Sequence, residues 1–477
     1  MKPHSVSSES AGWSRRAFLQ GIAASAAAAS SVPGSSRPAA TTPGGHSITI
    51  RSVASNFERN PLIRPFGFKG GYMTEIWQAV ARLESDSGLH ATAIGTQSVL
   101  WSDAAVFASH SESGGNALMY AMTEFALQRA RGRTFRRPDE LLDALYPEVL
   151  EYGRRITGRA ELRPTFALNS LVAVDNAAWL LYAKENGLRS FDELIPPEAR
   201  PALAHRHPRA AAIPLMAYAI PIEEIRAAVE KGYFFMKIKI GQPGTQEEML
   251  EKDQTRVSAI HAAIGSARTP YTKDGRIPYY FDANGRYEKR ETFLKFIDHL
   301  DKIGALGQVA IIEEPFAEEL ELDVRDIPVR LAADETAHTD RHTLERIEMG
   351  YRAVALKPIA KTLSMTFRIA RVCHDRGIPC FCADLTVHPI LVDWNKVFAA
   401  RLAPFPGIGE LALVESNGHQ NYRDWEEMRR HHPRGFASWT EVRNGVYELG
   451  PEFYAESGGI FEPSPHFEAM VTPPAGH

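Results

Sequence analysis

Regular alternation of strand-like and helix-like segments constrains the fold of this chain more than any other feature. From about residue 213, short apolar runs alternate with amphipathic helical stretches, which is the pattern of repeated βα units. Such units predict a parallel sheet covered by helices. Eight strands in one series favour a closed barrel over an open doubly wound sheet, and no glycine-rich dinucleotide fingerprint follows the first strand. The predicted strands are residues 214–220, 234–240, 279–283, 309–314, 330–334, 353–357, 379–383 and 408–414, with helices that include 222–231, 291–303, 341–349 and 363–376.

The region before the barrel shows a mixed α+β pattern. Its predicted elements are a strand at 47–54, a loop at 62–72, a helix at 75–85, a β-rich stretch at 91–101, and helices at 116–131, 138–152 and 167–185. The fold class predicted for the whole chain is therefore α/β, with an α+β region that precedes the barrel.

The first 46 residues resemble a targeting segment and are left out of the fold. Residues 14–19, Ser-Arg-Arg-Ala-Phe-Leu, are similar to a twin-arginine export signal, and a mildly apolar run follows at 21–29. This run is too short for a membrane span, and no cysteine follows it, so we expect no membrane anchor. The signal predicts that the twin-arginine machinery exports the protein to the periplasm or beyond. The alternative is a disordered tail with a chance pair of arginines.

Charge and cysteine content exclude several classes of function. The formal net charge is only −4, so we expect no nucleic-acid partner and no basic membrane patch. The three cysteines, Cys373, Cys380 and Cys382, fit neither a disulfide framework nor a zinc site by number and spacing. We expect them to be buried free thiols.

Two lysines mark the end of the second predicted barrel strand. Lys237 and Lys239 are separated by one residue, so both side chains point to the same side of the strand. Repulsion between two close ammonium groups, with partial burial, lowers a lysine pKa towards neutrality. A lysine with such a pKa can act as a base near physiological pH. The alternative is an ordinary solvated strand face.

The next three strands each end in a carboxylate. Asp282, Glu313 and Asp334 follow apolar runs, and catalytic groups of barrels collect at these strand ends. Singly, each could form a salt bridge or cap a helix. Three buried carboxylates that converge are costly unless a divalent cation neutralises them. Oxygen ligands without His or Cys suit Mg²⁺ rather than zinc, so the sequence predicts a magnesium site.

A further lysine completes the set at the end of the sixth strand. Lys357 follows an apolar run and lies opposite Lys239 around the predicted barrel. A substrate carboxylate bound to the metal would have its α-carbon between these two lysines. One lysine would remove the α-proton, while the metal and Lys237 stabilise the developing negative charge. The other lysine would return a proton from the opposite face or assist a leaving group.

Five short motifs occur in order at the ends of consecutive strands. They are Lys-Ile-Lys at 237–239, Phe-Asp-Ala-Asn-Gly at 281–285, Ile-Glu-Glu-Pro at 312–315, Ala-Asp-Glu-Thr at 333–336 and Leu-Lys-Pro at 356–358. Each motif is common alone, whereas the ordered set is specific. The set resembles the muconate-lactonizing-enzyme branch of the enolase superfamily, which includes cycloisomerases, dipeptide epimerases, N-acyl amino acid racemases and succinylbenzoate synthases.

The resemblance covers nearly all of the chain after the leader and carries several expectations. It implies a (β/α)7β TIM-like barrel with an N-terminal α+β capping domain. The implied segments are the leader at 1–46, the cap at 47–200, the barrel at 201–415, and a C-terminal segment at 416–477 that packs on the cap. Many members are multimers, so a homo-oligomer is one option.

The resemblance also implies roles for the residues at the strand ends. Asp282, Glu313 and Asp334 are the expected ligands of Mg²⁺, with Mn²⁺ as the alternative ion. Lys239 and Lys357 are the expected acid/base pair, and the chemistry of the superfamily passes through a metal-stabilised enediolate. Lys237 is the expected supporting cation, and Asn284 and Glu335 are expected to support the ligands and lysines. By strand alternation, the side chains of Glu314 and Glu335 should point away from the ligands.

Several residues keep alternative interpretations. Two cap loops, 66–71 and 101–113, are expected to close over the site and select substrate. Phe66, Phe68 and Lys69 are candidates to contact substrate, or they serve ordinary packing of the cap. Asp384 could meet a cationic group of the substrate or pair with a barrel lysine. His388 could be a base, as in the mandelate-racemase branch, or a histidine of a loop or the core. Polar residues at 269–276 could overhang the site or form a surface hairpin. Glu410 and Glu415 have the same two interpretations as Asp384.

Three functions fit these expectations. The first is racemisation or epimerisation of an amino acid derivative or dipeptide, which two lysines on opposite faces favour. The second is a lyase of the same fold, namely a dehydratase of a sugar acid or a cycloisomerase. The third is a non-catalytic periplasmic binder of small carboxylates, which would have no use for two lysines flanking the α-carbon.

Overall fold

The structure is a computed structural model that describes residues 46–69 and 71–472. The predicted export signal lies outside the described residues. The described chain combines an antiparallel four-stranded sheet near its N-terminus with a larger, mainly parallel sheet. This arrangement confirms the predicted fold class, a TIM-like barrel with an N-terminal α+β cap.

The sheet of the cap is built around one long hairpin. Its strands are β1 (Ile48–Phe68), β2 (Gly71–Ser85), β3 (His90–Gln97) and β4 (Thr134–Phe135), in the order β3-β2-β1-β4. At the hairpin tip, Phe66 pairs with Met73 and Phe68 with Gly71. The predicted helix at 75–85 is wrong, because this stretch is part of β2. Both faces of β2 are largely buried, so apolar residues recur at helical spacing without a helix.

Helices cover the cap sheet. The helices of this region are Val99–Ser102, Ala104–His110, Glu112–Ala130, Pro138–Thr157, Pro164–Asn186 and Phe191–Leu194, with a 3₁₀ turn at Pro197–Leu203. Pro164 opens the longest helix, and Gly187 ends it with a left-handed φ of 65°. Among the described residues this is the one helix long and apolar enough to span a membrane, but 94% of its most apolar window is buried inside the protein. It is therefore placed as a core helix.

Parallel strands form the barrel in sequence order. They are β5 (Arg209–Ile213) and β6 (Leu215–Met216), then β7 (Met236–Lys239), β8 (Tyr279–Asp282), β9 (Val309–Glu313), β10 (Leu331–Ala333), β11 (Ala353–Leu356), β12 (Cys380–Cys382) and β13 (Ala412–Glu415). β5 pairs with β13 and β6 pairs with β7, so the ring of strands closes through Pro214. The first strand thus lies earlier than the predicted 214–220, since the chain already turns away after Met216.

The helices of the barrel follow the predicted alternation. They are Ile222–Glu230, Gln246–Ile264, Arg290–Lys302, Asp340–Met349, Leu363–Asp375 and Pro389–Ala399, with a 3₁₀ turn at Leu306–Gln308. Inside the barrel, Phe235, Tyr280 and Phe381 pack against one another and against small residues such as Ala332 and Ala355. Large and small side chains together fill the interior, so the barrel is a packed core with its chemistry confined to one end.

The C-terminal segment contacts both the barrel and the cap sheet. Its elements are Gly418–Asn421, Trp425–His431, Ser438–Thr440, β14 (Val442–Arg443), β15 (Val446–Glu448), Pro451–Glu456, Ser457–Gly459 and Pro465–Val471. β15 pairs with β5 at the edge of the barrel sheet. The Asn56 side chain donates a 2.9 Å hydrogen bond to the Met470 carbonyl, and Gln78 donates to the Tyr422 hydroxyl. The domain limits stay predictions.

The polar residues at 269–276 form a hairpin far from the strand ends that carry the lysines. Arg268 pairs with Arg276, and Thr272 pairs with Ile408. Both pairs immediately precede barrel strands, β8 and β13, so they lie at the N-terminal end of the barrel. Of the two interpretations, the surface hairpin is therefore the one observed.

Candidate active site

Charged side chains gather at the C-terminal ends of neighbouring barrel strands. They are Lys237 and Lys239 on β7, Asp282 on β8, Glu313 on β9, Asp334 directly after β10, and Lys357 directly after β11. All are buried, and Lys239 is the most exposed at 5%. Because the strands are parallel and adjacent, their ends meet at one edge of the barrel. The structure thus brings together all six residues that the sequence analysis predicted to be catalytic lysines or metal ligands.

Lys237 lies among three carboxylates. Its Nζ is 2.8 Å from Glu313, 3.0 Å from Asp282 and 3.2 Å from Glu415. Burial alone lowers the pKa of Lys237, but these carboxylates outweigh burial and hold the pKa well above its usual value. The expectation that lysine–lysine repulsion lowers the pKa is therefore wrong for Lys237.

Lys239 and Lys357 reach the site from opposite sides of the barrel. Three strands separate β7 from β11 in either direction around the ring. Lys239 Nζ is 2.5 Å from both Asp282 Oδ2 and Asn284 Oδ1. Lys357 Nζ is 2.6 Å from Asp334 Oδ2 and lies 4.4 Å from the centre of the Trp101 ring. Two ammonium groups can therefore act on opposite faces of a molecule held between them.

Three carboxylates approach closely enough to share a metal ion. Ligand oxygens of Glu313, Asp334 and Glu335 all lie within 4.8 Å of one another. The predicted ligand Asp282 is not in this group, and its carboxylate contacts Lys237 and Lys239, so its role as a ligand stays a prediction. Glu335 was expected only to support the ligands and lysines. The structure places it beside Glu313 and Asp334.

Unpaired oxygens within this cluster fit a cation. Asp334 Oδ1 and Glu335 Oε2 are buried and accept no hydrogen bond from the described residues. Burial, together with Asp282 and Asp334, holds the pKa of Glu313 well above its usual value despite Lys237. Buried unpaired carboxylate oxygens are unfavourable unless a cation compensates them. The oxygen-only donor set suits a hard divalent ion such as Mg²⁺.

Glu314 supports the loop that carries the ligands. It was expected to point away, and its Oε1 accepts hydrogen bonds from the Thr336 amide (3.1 Å) and hydroxyl (2.8 Å) and from the Asp334 amide. Burial raises the pKa of Glu314 to about 7. Its φ of 41° is one of several left-handed values at the strand ends, with 46° at Asn284 and 60° at Thr386. Such strained backbone often occurs at functional sites.

Side chains of the cap cover the charged groups. Phe66, Phe68 and Trp101 line a cavity of about 30 Å³ that also reaches Lys239 and Lys357. Lys69 Nζ is 3.1 Å from Glu335 Oε1, so this cap residue neutralises a carboxylate of the cluster. A cavity of this size holds little more than water. Substrate entry therefore requires these cap side chains to move.

The side chains of Asp384 and His388 accept hydrogen bonds from backbone amides. Asp384 accepts hydrogen bonds from the amides of Leu385 (2.8 Å), Val387 (3.2 Å) and Asn417 (2.8 Å), and it has no lysine partner among the described residues. Burial and Glu415 raise the pKa of Asp384 to about 7. Asp384 also lines the cavity, so contact with a substrate cation stays a prediction. His388 accepts from the Ile390 amide and caps a helix, outside the cavity lining.

Lys361 was missed by the sequence analysis, and Trp101 was expected only as the start of a cap loop that closes over the site. Lys361 is fully buried and donates a 2.6 Å hydrogen bond to the backbone carbonyl of Asp334. Trp101 Nε1 approaches Asp334 Oδ2 at 3.4 Å. Lys361 follows no strand end, since it lies four residues after Lys357 in the next loop. Trp101 comes from the cap, so neither residue belonged to the strand-end pattern.

Comparison with protein families identifies the barrel. Residues 222–449 match the family model described as enolase C-terminal domain-like. This match spans the barrel from its first helix to beyond its last strand and includes every lysine and carboxylate at the strand ends. Residues 222–449 are therefore an enolase C-terminal domain-like region, and this match bears out the predicted resemblance to the enolase superfamily, a superfamily of enzymes.

Solved structures show the same fold at low sequence identity. A dipeptide epimerase from Enterococcus faecalis V583, complexed with Mg and L-Leu-L-Tyr, is 17% identical with a TM-score of 0.54, covering 77% of this chain and 90% of the other. A dipeptide epimerase from Cytophaga hutchinsonii, complexed with Mg and D-Ala-L-Val, is 15% identical with a TM-score of 0.57, covering 79% and 88%. The N-succinyl Arg/Lys racemase from Bacillus cereus ATCC 14579 is 15% identical with a TM-score of 0.56, covering 79% and 89%. A search of curated proteins found no sequence that matches the chain.

Proposed function

We propose that this protein racemises or epimerises the α-carbon of a carboxylate substrate, by removing the α-proton on one face and returning a proton on the other. The observation that carries the proposal is the pair Lys239 and Lys357, buried on opposite strands and facing one cavity. A binder of carboxylates would gain nothing from a second buried lysine on the far side of the ligand.

The side chains of the site have distinct tasks in this reaction. Lys239 Nζ takes or gives the proton on one face and Lys357 Nζ on the other, with the direction set by the enantiomer that binds. Lys237 stays charged among its carboxylates and stabilises negative charge on the substrate. Glu313, Asp334 and Glu335 would hold a divalent cation, Mg²⁺ or Mn²⁺, which when bound supplies further positive charge to the substrate carboxylate. Phe66, Phe68 and Trp101 exclude water from the reacting carbon.

We further propose that the substrate is a dipeptide or an N-acylated amino acid. The support is the fold shared with dipeptide epimerases and an N-succinyl amino acid racemase. The inner cavity at the lysines is too small for a whole substrate of this kind, so the rest of the substrate would lie in the neighbouring cleft. That cleft has a volume of about 480 Å³ and shares Phe66 and Leu215 with the inner cavity. Export through the twin-arginine route and periplasmic action complete the proposal.

Exchange of the α-proton with solvent tests the function. The purified protein with Mg²⁺ in D₂O is incubated with a pooled library of dipeptides, N-acyl amino acids and sugar acids, and masses are read. A gain of one mass unit without a new product supports the proposal and identifies the substrate class. Loss of water would replace it with a dehydratase. An inert library with measurable Mg²⁺ binding would favour a binder.

Matched variants separate catalysis from binding. Lys239→Ala and Lys357→Ala should each abolish turnover while Mg²⁺ binding persists, since both lysines act on the substrate. The control is Lys302→Ala, an exposed lysine at the end of the helix Arg290–Lys302, which should keep wild-type exchange. Full activity in both site variants would contradict the two-lysine mechanism.

A further inference from the structure

Two histidines and a glutamate form a cluster at the opposite end of the barrel from the candidate active site. His205 and His207 lie in the segment that enters β5, and Glu410 lies in the turn that enters β13. Ligand atoms of the three side chains all lie within 4.8 Å of one another. β5 and β13 are paired neighbours in the barrel, so the cluster joins the starting ends of two adjacent strands. The proposed racemase chemistry has no use for these residues.

His207 presents a nitrogen lone pair with no partner. Its Nε2 is 3.0 Å from the Leu402 carbonyl oxygen, which only accepts, so the proton must be on Nε2. The other nitrogen, Nδ1, is therefore a free acceptor. Nδ1 is buried and has no hydrogen-bond partner among the described residues, and His207 as a whole is 1% exposed. A histidine that donates one N–H to a carbonyl and turns the other nitrogen to a neighbouring group is the usual arrangement of a metal ligand.

The surrounding backbone holds these side chains in place. The His205 amide donates to the Arg401 carbonyl at 3.1 Å and the His207 amide donates to the Ala400 carbonyl at 3.0 Å. The Tyr454 hydroxyl donates to the His207 carbonyl at 2.7 Å. Histidines two residues apart in an extended segment point to the same side, and the two ring centres are 4.2 Å apart. The backbone that carries the two histidines is therefore fixed before a ligand binds.

The remaining contacts define what kind of ion fits. His205 Nε2 is 3.1 Å from Glu410 Oε2, and the Glu410 side chain is 71% exposed, so one side of the cluster is open to solvent. Burial and the neighbouring His205 lower the pKa of His207 to about 4, so His207 is neutral at physiological pH. Two imidazoles and one carboxylate suit zinc and similar transition metals, whereas Mg²⁺ prefers oxygen ligands alone.

We propose that His205, His207 and Glu410 bind a divalent transition metal of the zinc type, with water completing the coordination. The ion would lie between His205 and Glu410, and because it binds neutral imidazoles and an ionised carboxylate, binding should weaken as pH falls. It would tie the entrance of β5 to that of β13 and stabilise the closure of the barrel. The role is structural, because the catalytic groups of barrel enzymes lie at the other end of the strands.

A second cluster provides an internal control. Glu58, His431 and His466 also have ligand atoms within 4.8 Å of one another. There, the two imidazole rings stack face to face with centres 3.5 Å apart, and His466 Nε2 is already 2.7 Å from Glu58 Oε2. His431 Nδ1 is also buried without a hydrogen-bond partner, but neither ring donates to a backbone carbonyl among the described residues, so no hydrogen bond fixes which nitrogen carries the lone pair.

Titration of the untagged, Mg²⁺-saturated protein with Zn²⁺ tests the proposal. Calorimetry should show one Zn²⁺ per chain that excess Mg²⁺ does not displace, and Co²⁺ in its place should give the visible absorption of a site with imidazole ligands. His205→Asn and Glu410→Gln change partly exposed side chains, so both should fold. Each should weaken Zn²⁺ binding at least about 10-fold, and the double variant should lose it. His466→Asn should bind Zn²⁺ like the wild type.

Three outcomes would overturn the assignment. The wild type could bind no Zn²⁺ in the presence of Mg²⁺. The His205→Asn/Glu410→Gln double variant could keep full affinity. The loss could instead appear in His466→Asn, which would move the metal to the other cluster. Racemase activity takes no part in these readouts, so they are independent of the proposed function.

Discussion

Replacement of Lys237 by methionine tests whether the charge balance described above holds the site together. Lys237 is 3% exposed and contacts three carboxylates, whereas its neighbour Lys239 contacts only Asp282 among the carboxylates. Removing one partner from a buried ion network typically costs about 3–5 kcal/mol, because the remaining charges stay buried without compensation. Lys237→Met should lose stability of this size in metal-free protein.

Lys239→Met is the matched control for this change. It alters the same strand and the same face, but Asp282 keeps Lys237 as a partner, so the loss should be smaller, about 1–3 kcal/mol. The exposed variant Lys302→Met should stay within about 0.5 kcal/mol of the wild type. Stabilities are compared by urea unfolding in the presence of a chelator, with matched slopes as a check.

The pH dependence of the same experiment gives a second readout. Lys237 lowers the pKa values of Asp282 and Glu313 in the folded state, so its removal raises both of them. Groups with a raised folded pKa stabilise the protein at low pH and lose that contribution as pH rises. The deficit of Lys237→Met should therefore be smaller at about pH 5 than at about pH 8. A Lys237→Met protein no less stable than Lys239→Met, at either pH, would refute the charge-balance argument.

Three further predictions follow from the structure. Asp175 accepts hydrogen bonds from the Ser364 amide and hydroxyl, and burial raises its pKa to about 7. The stability that this carboxyl contributes below about pH 4 is therefore lost as pH rises towards 7. Over that range the urea midpoint of Asp175→Asn should rise relative to that of the wild type, and a constant difference would contradict this. Trp101→Phe keeps a ring beside Lys357 but removes the Nε1 contact to Asp334, so kcat should fall by about 10-fold. The urea midpoint should also fall, because Trp101 is buried and phenylalanine fills less space; an unchanged kcat would show that the contact has no role. Removal of divalent ions should lower the melting temperature of the wild type, and added Mg²⁺ should restore it in proportion to the logarithm of its concentration; an insensitive melting temperature would contradict cation binding by Glu313, Asp334 and Glu335.

The barrel and its charged strand ends were predictable because their signals are local. Each strand is a short apolar run followed at once by a lysine or a carboxylate, and parallel strands carry such residues to one edge. Lys237, Lys239, Asp282, Glu313, Asp334 and Lys357 converge for this reason. The order of the five motifs also indicated the family resemblance, which no single motif could indicate.

The failures share a different cause, which is dependence on tertiary surroundings. The stretch at 75–85 has apolar residues at helical spacing, yet it is a strand because other layers bury both of its faces. Which carboxylates lie close together depends on side-chain geometry, so the position of Glu335 beside Glu313 and Asp334 could not be read from the strand-end pattern. Lys361 reaches the site from a loop, where no periodic pattern marks it.

The central claim is that two lysines on opposite faces exchange the α-proton, and enantiomer-resolved exchange tests it most directly. Once the substrate class is known, each pure enantiomer is incubated in D₂O with Lys239→Ala and with Lys357→Ala, and deuterium incorporation is followed before any racemisation. The account predicts that each variant exchanges the proton of one enantiomer only, and that the two variants select opposite enantiomers. Loss of exchange from both enantiomers in one variant, with both retained in the other, would show that a single lysine carries the chemistry and would contradict the account.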